Sequence, residues 1–274
     1  MTMATTGVES RAARRARGMV WAGMLAAALA GCATQPQAPE PAMVTESDET
    51  EQRKRARIRL ELASGYFEQG RTEIALDEVK QALAADPTFG DAHNLRGLIL
   101  MNLANHREAE ESFRRALAIN PRDADAHHNF AWLQCSQGRF DESYRSFQQA
   151  LANPLYAGRA KTLMALGICQ ARGGLAAEAE QSLARSYELD AGNPITGFNL
   201  AQLLYRRGDY QRAQFYIRRL NNSELANSET LWLGIKVENR LNDRVAMEQL
   251  GDQLRKRFPQ SRERQSYDRG AFNE

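Results

Sequence analysis

From residue 53 onward the apolar positions recur with a helical beat. Over 92–102 and 108–118 they fall at i, i+3, i+4 and i+7, the spacing of a helix with one buried face. No alternating strand pattern competes with it. The beat is itself repeated. Ala75 and Ala109 are 34 residues apart, as are Val79 and Phe113, Ala82 and Ala116, Leu83 and Leu117, and Pro87 and Pro121. The frame continues with a two-residue insertion through Gly138, Phe140, Phe147, Ala150 and Leu151, then through Gly167, Gly174, Ala179 and Leu183, then Ala201, Gly208, Ala213 and Ile217, and finally Leu233, Gly234, Val237, Ala246 and Leu250. A period of this length carries one supersecondary unit that stacks on its neighbours, and here each unit holds two antiparallel helices. Small residues at 97, 109, 167, 179, 201, 213, 234 and 246 let those helices approach. Gly70, Gly138, Gly174 and Gly208 fall where a helix ends in a left-handed residue. Pro87 and Pro121 stop the second helix of their units.

These positions resemble the tetratricopeptide repeat. The resemblance implies an all-α fold, a right-handed superhelical solenoid of six helix pairs at about 56–89, 90–123, 124–159, 160–193, 194–226 and 227–260. Units five and six lack the closing Ala-Leu pair, which suits atypical end repeats. By the same resemblance, positions 2, 5, 9 and 12 of each first helix line the concave side. They give a partner groove of Leu60, Phe67, Asn94, Leu98, Met101, Trp132, Met164, Ile168, Phe198, Tyr205, Leu231 and Ile235. A contiguous apolar surface of this kind marks a partner site. Read one residue out of frame, the same side chains would be core.

Ahead of the repeats, Arg11, Arg14, Arg15 and Arg17 precede a mostly apolar run over 19–30, the layout of a secretory signal. The run is short for a spanning helix, which needs roughly 20 apolar residues. It ends in Leu29-Ala30-Gly31-Cys32, which looks like a bacterial lipobox. That likeness implies cleavage before Cys32 and lipidation there, and dual acylation is what stable anchoring requires. Ala33 stands where an aspartate would favour inner-membrane retention, so the resemblance implies the periplasmic face of the outer membrane. The domain plan is then a signal peptide at 1–31, a tether at 32–52, repeats at 53–262 and a tail at 263–274. The tether holds Pro36, Pro39 and Pro41, then Glu46, Asp48 and Glu49, with few large apolar side chains, so it cannot offset the cost of ordering.

Loss of residues 1–31 removes four arginines and one glutamate, taking the formal charge from +2 to −1 and leaving no footprint for nucleic acid. The basic cluster Arg53, Lys54, Arg55 and Arg57 is read as a solvated first turn. Chemistry is sparse. His93, His106, His127 and His128 are the only histidines, and with Asp91 and Asp125 nearby they are too few to imply a metal. Cys135 and Cys169 sit two positions apart in the repeat frame, hence on different helix faces, and are expected to be free buried thiols. No nucleophile elbow, phosphate loop or H-E-x-x-H is present. Neither an enzyme nor a cofactor is expected.

Three stretches go beyond the generic repeat: NPLYAGRAKTLMALGICQ, LLYRRGDYQRAQFY and LWLGIKVENRLNDRVAMEQLGDQLRKRFPQS. With the lipobox and six repeats, they resemble the type IV pilus biogenesis and stability lipoproteins, the PilW/PilF family, over about residues 25–265. The resemblance implies a pilotin. Such a protein is anchored in the outer membrane, binds the secretin of the pilus machine and promotes its localisation and multimerisation. The alternative is a repeat lipoprotein that scaffolds another envelope complex, such as the cell-wall synthesis machinery.

Overall fold

A computed structural model describes residues 49–272. The signal segment, Cys32 and most of the tether lie outside them. Thirteen helices account for the described residues, with no strand among them. They pair as α1 (Glu51–Glu68) with α2 (Thr72–Ala85), α3 (Gly90–Asn102) with α4 (His106–Ile119), α5 (Ala124–Ser136) with α6 (Phe140–Leu151), α7 (Arg159–Arg172) with α8 (Ala176–Leu189), α9 (Pro194–Arg207) with α10 (Tyr210–Asn221), and α11 (Ser228–Arg240) with α12 (Arg244–Arg257). A short α13 (Arg262–Asp268) follows. Each odd-numbered helix up to α11 also packs beside the next odd-numbered one, so the first helices of all six repeats form one continuous face.

Local chemistry sets the ends. Gly70, Gly138, Gly174 and Gly208 have φ between 74° and 86°, the left-handed turn that a residue without Cβ adopts freely. Ala104 and Asn242 occupy the equivalent turns at φ 58° and 59°. Asp86 and Asn120, each before a proline, are extended and end α2 and α4. Side chains cap several starts: Thr50 accepts from Arg53 N, Asp123 from Ala126 N, and Asn193 from Ile195 N and Thr196 N ahead of Pro194. Asn227 and Thr230 form a reciprocal capping box on α11.

The core runs between the helix layers as a chain of clusters, with Phe113, Phe147, Leu133, Leu183 and Ile217 among its fully buried side chains. Close approach depends on the small residues. A Cβ on Gly97 would lie 2.5 Å from the Phe113 ring, and one on Gly167 would lie 2.7 Å from Leu183. No described helix is long and apolar enough to cross a membrane.

Candidate functional site

The face built by α3, α5 and α7 contains a hollow of about 230 Å³. Leu98 and Met101 come from α3, Trp132 from α5, and Met164, Ala165 and Ile168 from α7. Five of these six are groove residues expected from the repeat frame. His128, Asn129 and Lys161 make its polar end. The hollow is smaller than the roughly 300–1,000 Å³ of small-molecule sites and suits one or two side chains of a protein partner.

The walls are held rigidly. Trp132 packs on the cluster of Ala131, Cys135, Phe147, Ala165, Leu166 and Cys169, and the Arg172 guanidinium lies 5.2 Å from its ring centre. Behind it Cys135 and Cys169 form a disulfide with Cα atoms 5.9 Å apart, correcting the expectation of free thiols. Two residues turn a helix by about 200°. Side-by-side helices meet through opposite faces, so an offset of two positions aims the two side chains at each other. His128 and Thr162 show the same offset and the same outcome, with Nδ1 2.8 Å from Oγ1. Burial first, then the nearby Lys161 charge, holds the His128 imidazole down to about 4, so it is neutral at ordinary pH. Asn129 Nδ2 donates to Asn94 Oδ1 at 3.0 Å, joining α5 to α3.

Two of the other histidines hold loops in place. His93 and His127, one repeat apart, each donate through Nε2 to a proline carbonyl, Pro87 at 2.9 Å and Pro121 at 3.0 Å, and so pin equivalent loops. Among the described residues no group of three His, Cys, Asp or Glu is placed to hold a metal.

Two stretches, residues 60–127 and 100–167, match family models of the tetratricopeptide repeat. The type IV pilus assembly protein PilF of Pseudomonas aeruginosa is 28% identical over 244 residues, which span 89% of this chain and 95% of PilF. The solved structure of Pseudomonas aeruginosa PilF superposes with a TM-score of 0.73 at 27% identity, covering 81% of this chain and all of that one. PilW, a widely conserved type IV pilus biogenesis factor, superposes with a TM-score of 0.72 at 30% identity, over 77% of this chain and 97% of its own. This chain belongs to the PilW/PilF family.

The rest of the expected groove divides along the length of this PilW/PilF protein. Leu60 and Phe67 are half-buried against the first-repeat cluster, and Phe198 and Tyr205 against that of repeats four and five. Leu231 and Ile235 are not groove residues. Both are fully buried, in a cluster with Leu254 against which Tyr267 and Phe272 pack. The covering residues come from α13 and the segment after it, which the repeat frame leaves as a tail. His128 was missed although its signal lies in the sequence. It occupies position 5 of the third repeat, in register with Asn94 and Met164, so the repeat frame itself puts it on this face.

Proposed function

We propose that this PilW/PilF protein is a pilotin, anchored in the outer membrane through lipidated Cys32, that binds the type IV pilus secretin and promotes its localisation and multimerisation. Kinship over nearly the whole chain makes it a tetratricopeptide-repeat protein of type IV pilus biogenesis. The observation that carries the binding step is the rigid apolar hollow around Trp132. Such a hollow accepts an apolar anchor from a partner, while Asn129 and Lys161 are placed for its polar atoms. Secretin is the partner that the kinship and the envelope address together favour.

The test is titration of Trp132→Ala against the purified periplasmic part of the secretin. Loss of a central aromatic anchor weakens binding by about 2 kcal/mol or more. Thermal melting of the same variant separates this from a packing defect. Unchanged affinity refutes the site, and capture of cell-wall synthases instead of secretin from envelope extract refutes the partner. Cys32→Ser tests the anchor, since the variant leaves the outer-membrane fraction if the thioether holds it there.

A further inference from the structure

Every first helix of the stack begins, and every second helix ends, at the same edge. The chain enters the solenoid there too: Arg53, in the first turn of α1, donates through Nε to Asp86 Oδ2 at 2.5 Å and through its NH2 group to the Thr88 carbonyl, both at the first repeat's connection to α3. This edge carries a run of apolar side chains that no other described residue covers. Leu155 is 89% exposed, and Leu189, Ile195 and Leu225 are between 51% and 58% exposed. Leu155 and Leu225 come from the connections after α6 and α10, and Leu189 and Ile195 from the last residue of α8 and the first turn of α9, so the run crosses successive repeats. At the opposite edge Ile74, Leu103 and Leu175 are 38% to 40% exposed, and Val245, alone in the first turn of α12, is 67% exposed.

Leu155 sits on the insertion that distinguishes this repeat from its neighbours, and the loop around it is well tied. Tyr156 donates to Asp125 Oδ1 at 2.6 Å, Arg159 to the carbonyls of Leu151 and Asn153 at 2.9 and 3.2 Å, and Leu155 N to Asn153 Oδ1 at 2.9 Å. The polar atoms are thus satisfied within the loop, and the leucine side chain is held outward. Leu225 is presented in a similar way, its N–H donating to Ser223 Oγ at 3.2 Å.

We propose that this edge lies on the lipid surface, with Leu155, Leu189, Ile195 and Leu225 dipping into the interfacial layer. The proposal rests on the anchor reading above. Eighteen positions separate Cys32 from Thr50 in the sequence, and a coil of that length would span roughly 20 to 30 Å, which puts lipids within reach of the edge where α1 begins. The edge carries both signs of charge, Asp190 and Glu224 as well as Arg53, Lys54 and Arg55, so the contact is assigned to the four apolar side chains and not to a charged patch. The helices then stand away from the membrane, and the hollow around Trp132 opens sideways, parallel to it.

Amide hydrogen exchange of the full mature protein, with and without vesicles of phosphatidylethanolamine and phosphatidylglycerol, tests this. Exchange over 153–158, 190–195 and 223–227 is expected to slow by about tenfold, while 103–105 and 174–176 are unchanged. The protection persists in 0.5 M salt, as a contact of apolar origin must. In the double variant Leu155→Asp, Leu225→Asp the protection is lost although the lipid chain still holds the protein to the vesicle. Equal exchange at the two edges, protection of the opposite edge, or protection abolished by salt overturns the proposal. Intact mass of the same sample reports the lipid on Cys32 separately. An unlipidated cysteine overturns the anchor and this proposal with it, whereas a lipidated protein with unprotected loops overturns the edge alone.

Discussion

Reduction of the Cys135–Cys169 bridge should destabilise the middle of the stack and loosen the hollow in front of it. The two residues are 34 positions apart. In the chain-entropy account, closing a loop of that length restricts the denatured chain by about 4 kcal/mol at 25 °C, and native bridges commonly deliver 2 to 4. Both sulfurs are buried, and Ser143 Oγ lies 3.3 Å from Cys169 Sγ, so reduction also leaves two thiols in a packed layer. With a urea dependence of about 2 kcal/mol per molar, the unfolding midpoint moves down by ~1 to 2 M. The assay is urea unfolding followed by circular dichroism, on the native protein with and without a phosphine reductant and on the Cys135→Ala, Cys169→Ala double variant. Reductant and double variant should give similar shifts, and the reductant should do nothing further to the variant. Coincident midpoints for oxidised and reduced protein, or two reactive thiols in the unreduced native protein, would refute the reasoning.

Four further outcomes rest on the packing and the charges. Gly97→Ala puts a methyl group 2.5 Å from the Phe113 ring and should cost about 1 to 3 kcal/mol in thermal unfolding, whereas Ala104→Gly, at an exposed left-handed turn, should stabilise by about 0.5 to 1 kcal/mol. His128 is neutral in the fold, down to about pH 4, but takes up a proton near 6.5 when unfolded. Its contribution is therefore fully present above pH 6.5 and lost as pH falls towards 4, by about 3 kcal/mol, and His128→Gln should flatten that part of the stability profile. Glu238 is fully buried, with Arg218 donating at 2.7 and 2.9 Å and Gln214 at 2.7 Å. Arg218→Met strands the carboxylate and should cost about 3 kcal/mol, the low end for a buried pair because Arg218 is half-exposed, and adding Glu238→Leu should recover most of it.

The repeat was legible because the same packing problem is solved six times, so Ala75, Ala109, Ala179 and Ala213 announce the period without any knowledge of the fold. Five residues of the hollow were legible for the same reason, since each occupies a frame position on one continuous face. What escaped were features that a single-repeat frame does not contain. The cysteine pairing depends on how two neighbouring helices face each other, a relation between repeats. Leu231 and Ile235 hold proper groove positions but meet α13, an element with no counterpart earlier in the chain. Ala104 and Asn242 fill turns usually given to glycine, so a search by residue type passes over them.

The two ends of the stack are finished differently. At the C-terminal end α13 lies against α11 and α12 and turns Arg262, Gln265, Asp268 and Arg269 to solvent. At the other end one face of α1 is covered by no other described residue, and there Ile58 and Leu62 are exposed beside Tyr66 around a hollow of about 380 Å³. Head-to-tail growth needs two complementary ends, and a heterologous contact of that kind runs on into a filament. Among the described residues one end of the stack is finished by charge and the other is apolar, so the two ends are not complementary. Contact through the open end of the stack joins like to like, and a two-fold pair formed that way is closed.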